Sequence, residues 1–227
     1  MTAYRKTRTW IDNFDRALTL SATPEGGTGW TVSDTSSSGT PTYLTATNDG
    51  GALVLTCDNT SEAQNITLYQ NDILMYDLAF IQHVWWIVKV SGIEAATVFV
   101  AGVGSAQADD EDTVAHHAWL KMEGATSTTA LVAETDDGTN DNNDKATGTT
   151  LSSTYKKLGI DFTNGISDVR FEVDGNRVAS GTTFDMSDKT SGQNVQPYLQ
   201  IAKTSGTGTP AVTIAQFGIQ YTYSYGA

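Results

Sequence analysis

The sequence is short of cysteine and of basic residues, and each shortage excludes classes of protein. Cys57 is the single cysteine among 227 residues, so no internal disulfide can form and a secreted disulfide framework is excluded. Only 13 Lys and Arg stand against 26 Asp and Glu, which gives a net charge of −13. Because nucleic acids and anionic membrane surfaces bind clustered Lys and Arg, neither is expected as a partner.

Long apolar runs are also missing. The most apolar stretch, residues 73–90, is interrupted by Asp77, Gln82, His83 and Lys89, so no membrane-spanning helix of about 18 apolar residues is expected. The basic residues near the N-terminus are not followed by an apolar segment. A secretory signal is therefore not expected, and we expect synthesis in the cytoplasm.

The residues that are abundant favour strands and turns. Thr, Gly, Ser, Asn and Asp are frequent, and strong helix formers are scarce. Val169, Phe171 and Val173 alternate with polar residues, and the following Asp174-Gly175-Asn176 is a hairpin signal because these residues accept positive φ. Similar runs predict strands near residues 8–14, 28–33, 42–47, 51–57, 64–69, 73–80, 83–91, 96–103, 114–123, 127–134, 150–163, 166–174, 176–180, 195–203 and 211–223.

This series of short strands with turn signals predicts an all-β, antiparallel sandwich of jelly-roll type, with residues 17–227 as one domain. Residues 1–16 form either an arm that reaches a partner or the first strand. Segments 135–149 and 204–210 contain almost no apolar residues and are predicted to be exposed hairpin loops. Segment 109–119 begins with acidic residues and is either a short helix or a loop that enters a strand at Ala115.

Residues for catalysis are hard to find. A glycosidase needs two carboxylates across a cleft, and the nearest pair at alternate positions is Glu172 and Asp174. Asp174, however, opens the predicted hairpin turn, where aspartate is favoured for turn formation alone. The neighbouring His116 and His117 point to opposite faces of a strand, and His83 lies in an apolar strand. We therefore predict no catalytic residues and no enzyme activity.

Binding residues are easier to nominate. Trp85 and Trp119 are candidates for aromatic side chains that stack on sugar rings. Aromatic residues in strands also serve as core, and at least one of Trp85 and Trp86 should be buried. The acidic segment contains oxygen ligands of the kind that calcium prefers, namely Asp136, Asp137, Asp141 and Asp144. The alternative is that this segment is a solvated turn. No other cofactor is expected.

The order of several motifs resembles concanavalin-like or laminin-G-like jelly rolls. The motifs are WIDNFD at 10–15, Gly29-Trp30, GGALVL at 50–55, YKKLGIDF at 155–162 and VRFEVDGNRV at 169–178. Within that class, the acidic, cysteine-poor composition resembles accessory structural proteins of tailed bacteriophages.

The resemblance implies a virion protein, first of all a capsid decoration or cement protein. Its partners would be the major capsid protein and copies of itself, as a dimer or trimer, and the arm residues Arg5, Lys6 and Arg8 would dock on an acidic surface. The alternative is a carbohydrate-binding, lectin-like module, free or in a tail or host-recognition fibre. A third possibility is an unfamiliar glycan hydrolase, which would show a pocket with two carboxylates about 5 to 10 Å apart.

Overall fold

A computed structural model describes residues 4–18, 20–46, 51–188 and 193–225. In these residues the chain forms sixteen strands, β1 to β16 in order: Tyr4–Asp12, Thr31–Asp34, Thr42–Ala46, Ala52–Thr56, Gln64–Tyr69, Tyr76–Asp77, Ile81–Ser91, Thr97–Gly104, His117–Glu123, Ala130–Asp136, Asp141–Thr150, Lys156–Asp161, Arg170–Val173, Asn176–Val178, Asn194–Lys203 and Ala211–Tyr225. Two single 3₁₀ turns, Leu78–Phe80 and Glu111–Thr113, complete the described structure. No helix in the described ranges is long and apolar enough to cross a membrane.

The strands form two antiparallel sheets of eight strands each. Sheet A has the order β14-β13-β12-β7-β16-β4-β3, with β1 also paired to β16. Sheet B has the order β11-β10-β9-β8-β15-β5-β2, with β6 also paired to β15. The prediction of an all-β antiparallel sandwich is confirmed.

The core lies between the two sheets and follows from the alternation of side chains along each strand. In β7, Val84, Trp86 and Val88 are buried, while Trp85 and Ile87 between them are partly exposed. Trp86 is therefore the core member of the tryptophan pair, which agrees with the prediction that at least one of the two is buried. Cys57 is also buried, and burial raises the pKa of its thiol to about 12, which keeps it protonated and unreactive.

The N-terminal segment is the first strand and not a free arm. Residues 4–12 of β1 pair with residues 217–225 of β16 along their whole length. At the end of β1, the buried carboxylate of Asp12 accepts hydrogen bonds from the Trp30 indole at 2.8 Å, the Phe14 amide at 2.9 Å and the Arg16 guanidinium at 2.8 and 2.9 Å. Asp12 thus joins β1 to the aromatic core beneath it.

Two predicted segments differ from the structure. Most of segment 135–149 is strand, because β10 ends at Asp136 and β11 occupies Asp141–Thr150. β11 is an edge strand exposed on both faces for most of its length, so it has no apolar alternation to signal it. Segment 109–119 is not a helix but contains one 3₁₀ turn, and its strand begins at His117 instead of Ala115. Segment 204–210 is a loop, as predicted.

Candidate functional site

The outer face of sheet A carries one row of residues that crosses five strands. Strand register places Glu172, Gly159, Trp85, Gly218 and Ile11 side by side, from β13 through β12, β7 and β16 to β1. Because neighbours in such a row point to the same face, Trp85 stands between two residues that have no side chain. Of the two glycines, Gly218 is the one that leaves room for the indole ring on the sheet surface.

The Trp85 ring lies across Gly218. A Cβ atom added to Gly218 would be 2.1 Å from Cζ2 of Trp85, so no larger residue fits beneath the ring in this position. The indole Nε1 donates a 2.7 Å hydrogen bond to Gln216 Oε1, and Gln216 in turn donates to Asn13 Oδ1 at 2.8 Å. Backbone contact on one side and this hydrogen-bonded chain hold the ring in one orientation.

Polar groups surround Trp85 in a cleft of about 270 Å³. The Lys157 ammonium is 4.9 Å from the centre of the Trp85 ring. His83 Nδ1 lies 3.7 Å from Asp161 Oδ1, and Gln220 donates to Thr9 Oγ1 at 3.3 Å. The Lys157 ammonium lies over the ring, and the other polar groups stand around it. Once the flexible lysine side chain moves aside, the ring and these groups suit a flat ligand that carries several hydroxyl groups.

The prediction that Trp119 binds sugar is wrong, because Trp119 is fully buried. It lies on the outer face of sheet B, where the His117 ring stacks on it at 3.7 Å with an angle of 6°. Tyr198, also fully buried, lies 5.6 Å away. Residues 105–116, which connect β8 to β9, cover this face, and Val114 and Ala108 pack against the two rings.

A polar cleft of about 200 Å³ lies beside this covered face. Glu134 and Asp136 alternate on β10 and both line it, a pair of acids that sequence reasoning missed and that the same search for alternating acids could have found. Glu134 Oε1 lies 3.0 Å from His117 Nε2, and Glu134 Oε2 lies 3.8 Å from Lys121 Nζ. Glu134 is therefore engaged by neighbouring side chains and is only 2% exposed.

Lys121 is the centre of charge in this network. Its ammonium lies 2.7 Å from Asp112 Oδ1 and 3.3 Å from Glu111 Oε1. Burial by itself lowers the pKa of Lys121, but the hydrogen bond to Asp112 and the charges of Glu134 and Glu111 outweigh it and raise the pKa above its ordinary value. Lys121 thus stays charged, and its ion pairs with Glu111 and Asp112 link residues 105–116 to sheet B.

The four aspartates proposed as calcium ligands have other partners for the most part. Asp137 is buried and accepts hydrogen bonds from the amides of Thr139 at 2.9 Å, Asn140 at 2.6 Å and Asp188 at 3.0 Å. Asp136 accepts from the Gly138 amide at 2.6 Å. These carboxylates cap the β10–β11 turn.

The remaining two aspartates complete the set. Asp141 accepts from Asn143 at 2.8 Å, and Asp144 lines the polar cleft. Within the described residues, no three His, Cys, Asp or Glu side chains are grouped as a metal ion would require. Calcium binding by these four aspartates stays a prediction.

The other nominated residues are placed as follows. Arg5, Lys6 and Arg8 lie on β1, paired with Ser224, Tyr223 and Tyr221. The Arg8 guanidinium lies 4.5 Å above the Tyr223 ring, and the side chain of Arg5 lies outside the described residues.

Asp174, the acid nearest in sequence to Glu172, forms part of the hairpin turn. Its carboxylate accepts the Lys157 amide at 2.9 Å and pairs with Lys156 at 3.0 Å. These contacts explain why an aspartate occupies position 174 without a catalytic role.

Comparison with known proteins identifies the fold of this chain but does not identify a family. No protein-family model matches the sequence, and no curated protein matches it significantly. Among solved structures, a protein of unknown function from Shewanella oneidensis matches with a TM-score of 0.64 and 11% identity, over 100% of this chain and 90% of that one.

Two further structures have sugar-related names. A glycoside hydrolase family 16 endo-glucanase from Bacteroides ovatus has a TM-score of 0.62 and 11% identity, over 92% of this chain and 99% of that one. The carbohydrate recognition domain of Emp47p has a TM-score of 0.51 and 10% identity, over 86% and 88%. The chain therefore has a concanavalin-like jelly-roll fold, as its motifs indicated.

Proposed function

We propose that this domain is a carbohydrate-binding module that binds without hydrolysing, and that Trp85 is its stacking surface. The observation that carries the proposal is the position of the Trp85 ring across Gly218, at the floor of a cleft with polar walls. Sugar rings present an apolar face and a hydroxyl-bearing rim, and an aromatic ring with surrounding hydrogen-bonding groups complements both.

The fold neighbours support sugar recognition as the class of function. Their names include an endo-glucanase and a carbohydrate recognition domain. At 10–11% identity this support comes from the shared fold, and the residues that would bind sugar are argued from this chain alone.

The carboxylates argue for binding over hydrolysis. Glycosidases place two carboxyl groups on either side of the scissile bond, but the Trp85 cleft is lined by one, Glu172. In the polar cleft on sheet B, Glu134 is buried between His117 and Lys121. Both oxygens of Glu134 face these partners and only 2% of the residue is exposed, so a substrate in this cleft has little access to its carboxylate.

The test is the variant Trp85→Ala in titrations against a panel of soluble polysaccharides, followed by calorimetry or affinity electrophoresis. Loss of the ring should weaken binding by about tenfold, because aromatic stacking contributes roughly 0.5–1.5 kcal/mol beyond the buried area. Phe80→Ala is the matched control, since Phe80 is 41% exposed and lies outside the cleft. If the panel gives no binding, or if Trp85→Ala binds like the parent, the proposal is wrong.

Placement on a virion stays a prediction from the resemblance to phage accessory proteins. Capsid decoration, a homo-oligomeric state and the role of Arg5, Lys6 and Arg8 are proposals of the same standing. A glycan-binding face on sheet A is compatible with them, because β1 and the centre of the Trp85 cleft occupy different strands of that sheet.

A further inference from the structure

Two lysines on the outer face of sheet A have no acidic partner. Lys89 on β7 and Lys157 on β12 form no ion pair within the parts of the chain that the structure describes, whereas Lys121, Lys156 and Arg170 do. Both charges are available to a ligand.

Each of these ammonium groups lies over an aromatic ring. Lys157 Nζ is 4.9 Å from the centre of the Trp85 ring, and Lys89 Nζ is 4.6 Å from the centre of the Tyr155 ring. Tyr155 is 40% exposed. The rings attract the cations. A sugar ring that stacks on Trp85 displaces the Lys157 ammonium from the indole face, and the ammonium then pairs with an anionic group of that sugar.

Three of these side chains lie on the neighbouring strands β7 and β12, and Tyr155 directly precedes β12. Trp85 and Lys89 are four residues apart on the same face of β7, a span of about 13 Å at roughly 3.3 Å per residue. Lys157 is opposite Ile87 and so lies between them. We call the surface formed by Trp85, Lys157, Lys89 and Tyr155 the aromatic–lysine strip.

The nearby acids lie to one side of the strip or are already bound. Asp174 is held by the Lys156 ammonium at 3.0 Å and the Lys157 amide at 2.9 Å. Glu172 belongs to β13 and is separated from Trp85 by Gly159. A chain that runs along β7 meets two positive charges, with Glu172 at its flank.

We propose that the ligand of this face is an acidic oligosaccharide, with one sugar ring on Trp85 and its anionic groups paired with Lys157 and Lys89. The inference rests on the proposed glycan-binding function and names the substrate class of the same site. Carboxylate and sulfate groups share the required chemistry, because an ammonium pairs with either as a point charge. The strip length requires more than one sugar unit.

The experiment uses the full chain and three probes: polygalacturonate oligosaccharides, a sulfated glycosaminoglycan oligosaccharide and neutral galacto-oligosaccharides of matched length. Calorimetric titrations are run at low and at high NaCl. The parent protein should bind one or both acidic probes, bind the neutral probe much less, and lose affinity as salt rises. A preference between the two acidic probes identifies the anionic group.

Lys157→Gln and Lys156→Gln form a matched pair of variants, since the two lysines are adjacent and only Lys156 has an acidic partner. Lys157→Gln should weaken binding of the acidic probe on the order of tenfold and reduce the salt dependence, while Lys156→Gln should stay close to the parent. Equal binding of neutral and acidic probes, or an unchanged affinity in Lys157→Gln, would overturn the inference. If that happens but Trp85→Ala still loses glycan binding, only the acidic-ligand inference is wrong and the proposed glycan-binding function is kept. If no probe or polysaccharide binds, both the inference and the proposed function are wrong.

Discussion

Gly218 and Gly159 flank Trp85 in the same row of sheet A, yet they are not equivalent. A Cβ atom on Gly218 would lie 2.1 Å from the Trp85 ring, whereas one on Gly159 would make an ordinary 3.4 Å contact with Cβ of Glu172. Gly218→Ala should therefore move the ring and weaken glycan binding about as much as Trp85→Ala does. Gly159→Ala should bind like the parent.

The two glycine variants are compared by the same glycan titrations, with circular dichroism as a check on the fold. They serve as controls for each other, because both add one methyl group to a buried position beside Trp85. Equal affinities for Gly218→Ala and the parent would show that the orientation of the ring is unimportant.

Asp12 is a residue on which stability should depend. Burial by itself raises the pKa of its carboxyl group, but the hydrogen bond from Arg16 and those from Phe14 and Trp30 outweigh it, so the pKa is lowered from its ordinary 3.8. A lowered pKa means that the carboxylate stabilises the folded state above pH 3.8 and that this stability is lost as the pH falls through the folded value.

Asp12→Asn should lower the free energy of unfolding by about 2 kcal/mol at neutral pH, because it weakens hydrogen bonds to a charged group and leaves Arg16 with only the longer 3.8 Å contact to Glu25. The difference from the parent should shrink as the pH falls below 3.8 and toward the lowered folded-state pKa, because the parent carboxylate then begins to take up a proton. Urea denaturation at pH 7 and at about pH 3 measures both. A difference that is the same at the two pH values would contradict the role assigned to the charge.

At the scale of elements, residues 105–116 decide which tryptophan is exposed. Ser105 donates its amide hydrogen to the His116 carbonyl at 2.8 Å, so the two ends of this segment are already neighbours in the β8–β9 hairpin. A two-residue turn could join them. Sheet B nevertheless holds the longer segment through Tyr198, whose hydroxyl donates to the Ala108 carbonyl at 2.8 Å, and through Gln200, whose amide donates to the Asp109 carbonyl at 3.0 Å.

Replacement of residues 106–115 by Asn-Gly should keep the hairpin and expose Trp119. We expect oxidation of Trp119 by N-bromosuccinimide, read by peptide mass spectrometry, only in the shortened variant. Trp86, fully buried between the sheets, should stay unreactive and is the internal control. If Trp119 is as protected as in the parent, the segment is not what covers it.

At the scale of the whole molecule, the predicted assembly on a capsid needs a test with a variant that keeps β1 intact. Deletion of residues 2–8 would remove most of β1 and leave the end of β16 without its partner, so lost binding would not identify a docking surface. Combined Arg5→Gln, Lys6→Gln and Arg8→Gln changes charge while keeping the strand. If the basic residues dock on an acidic capsid, this variant should fail to co-sediment with empty shells that the parent binds.

Light scattering of the parent and the triple variant accompanies the sedimentation. The resemblance predicts a dimer or trimer for the parent, and an unchanged state in the variant would separate docking from self-association. A parent protein that is monomeric and ignores shells would contradict the virion prediction and leave the glycan-binding proposal as it is.

The extent of prediction from sequence differs between elements. β13 and its hairpin to β14 were predictable because Val169, Phe171 and Val173 alternate and the residues that follow accept positive φ, as Asp174 and Gly175 do at 52° and 76°. β11 was missed because an edge strand exposed on both faces buries too little to show a period of two. The network around Lys121 joins residues from β9, β10 and segment 105–116, and no local pattern connects them.

The sequence by itself determined the all-β class, because alternation and turn chemistry act between near neighbours in the chain, and it determined the acidic surface through composition. Only the tertiary structure decided that Trp85 is available and Trp119 is not. Both tryptophans occupy outward positions on strands, but Trp119 is covered by residues 105–116, whereas Trp85 meets Gly159 and Gly218 across two strand pairings. Exposure depends on what packs over a face, and that is set by parts of the chain far from the residue.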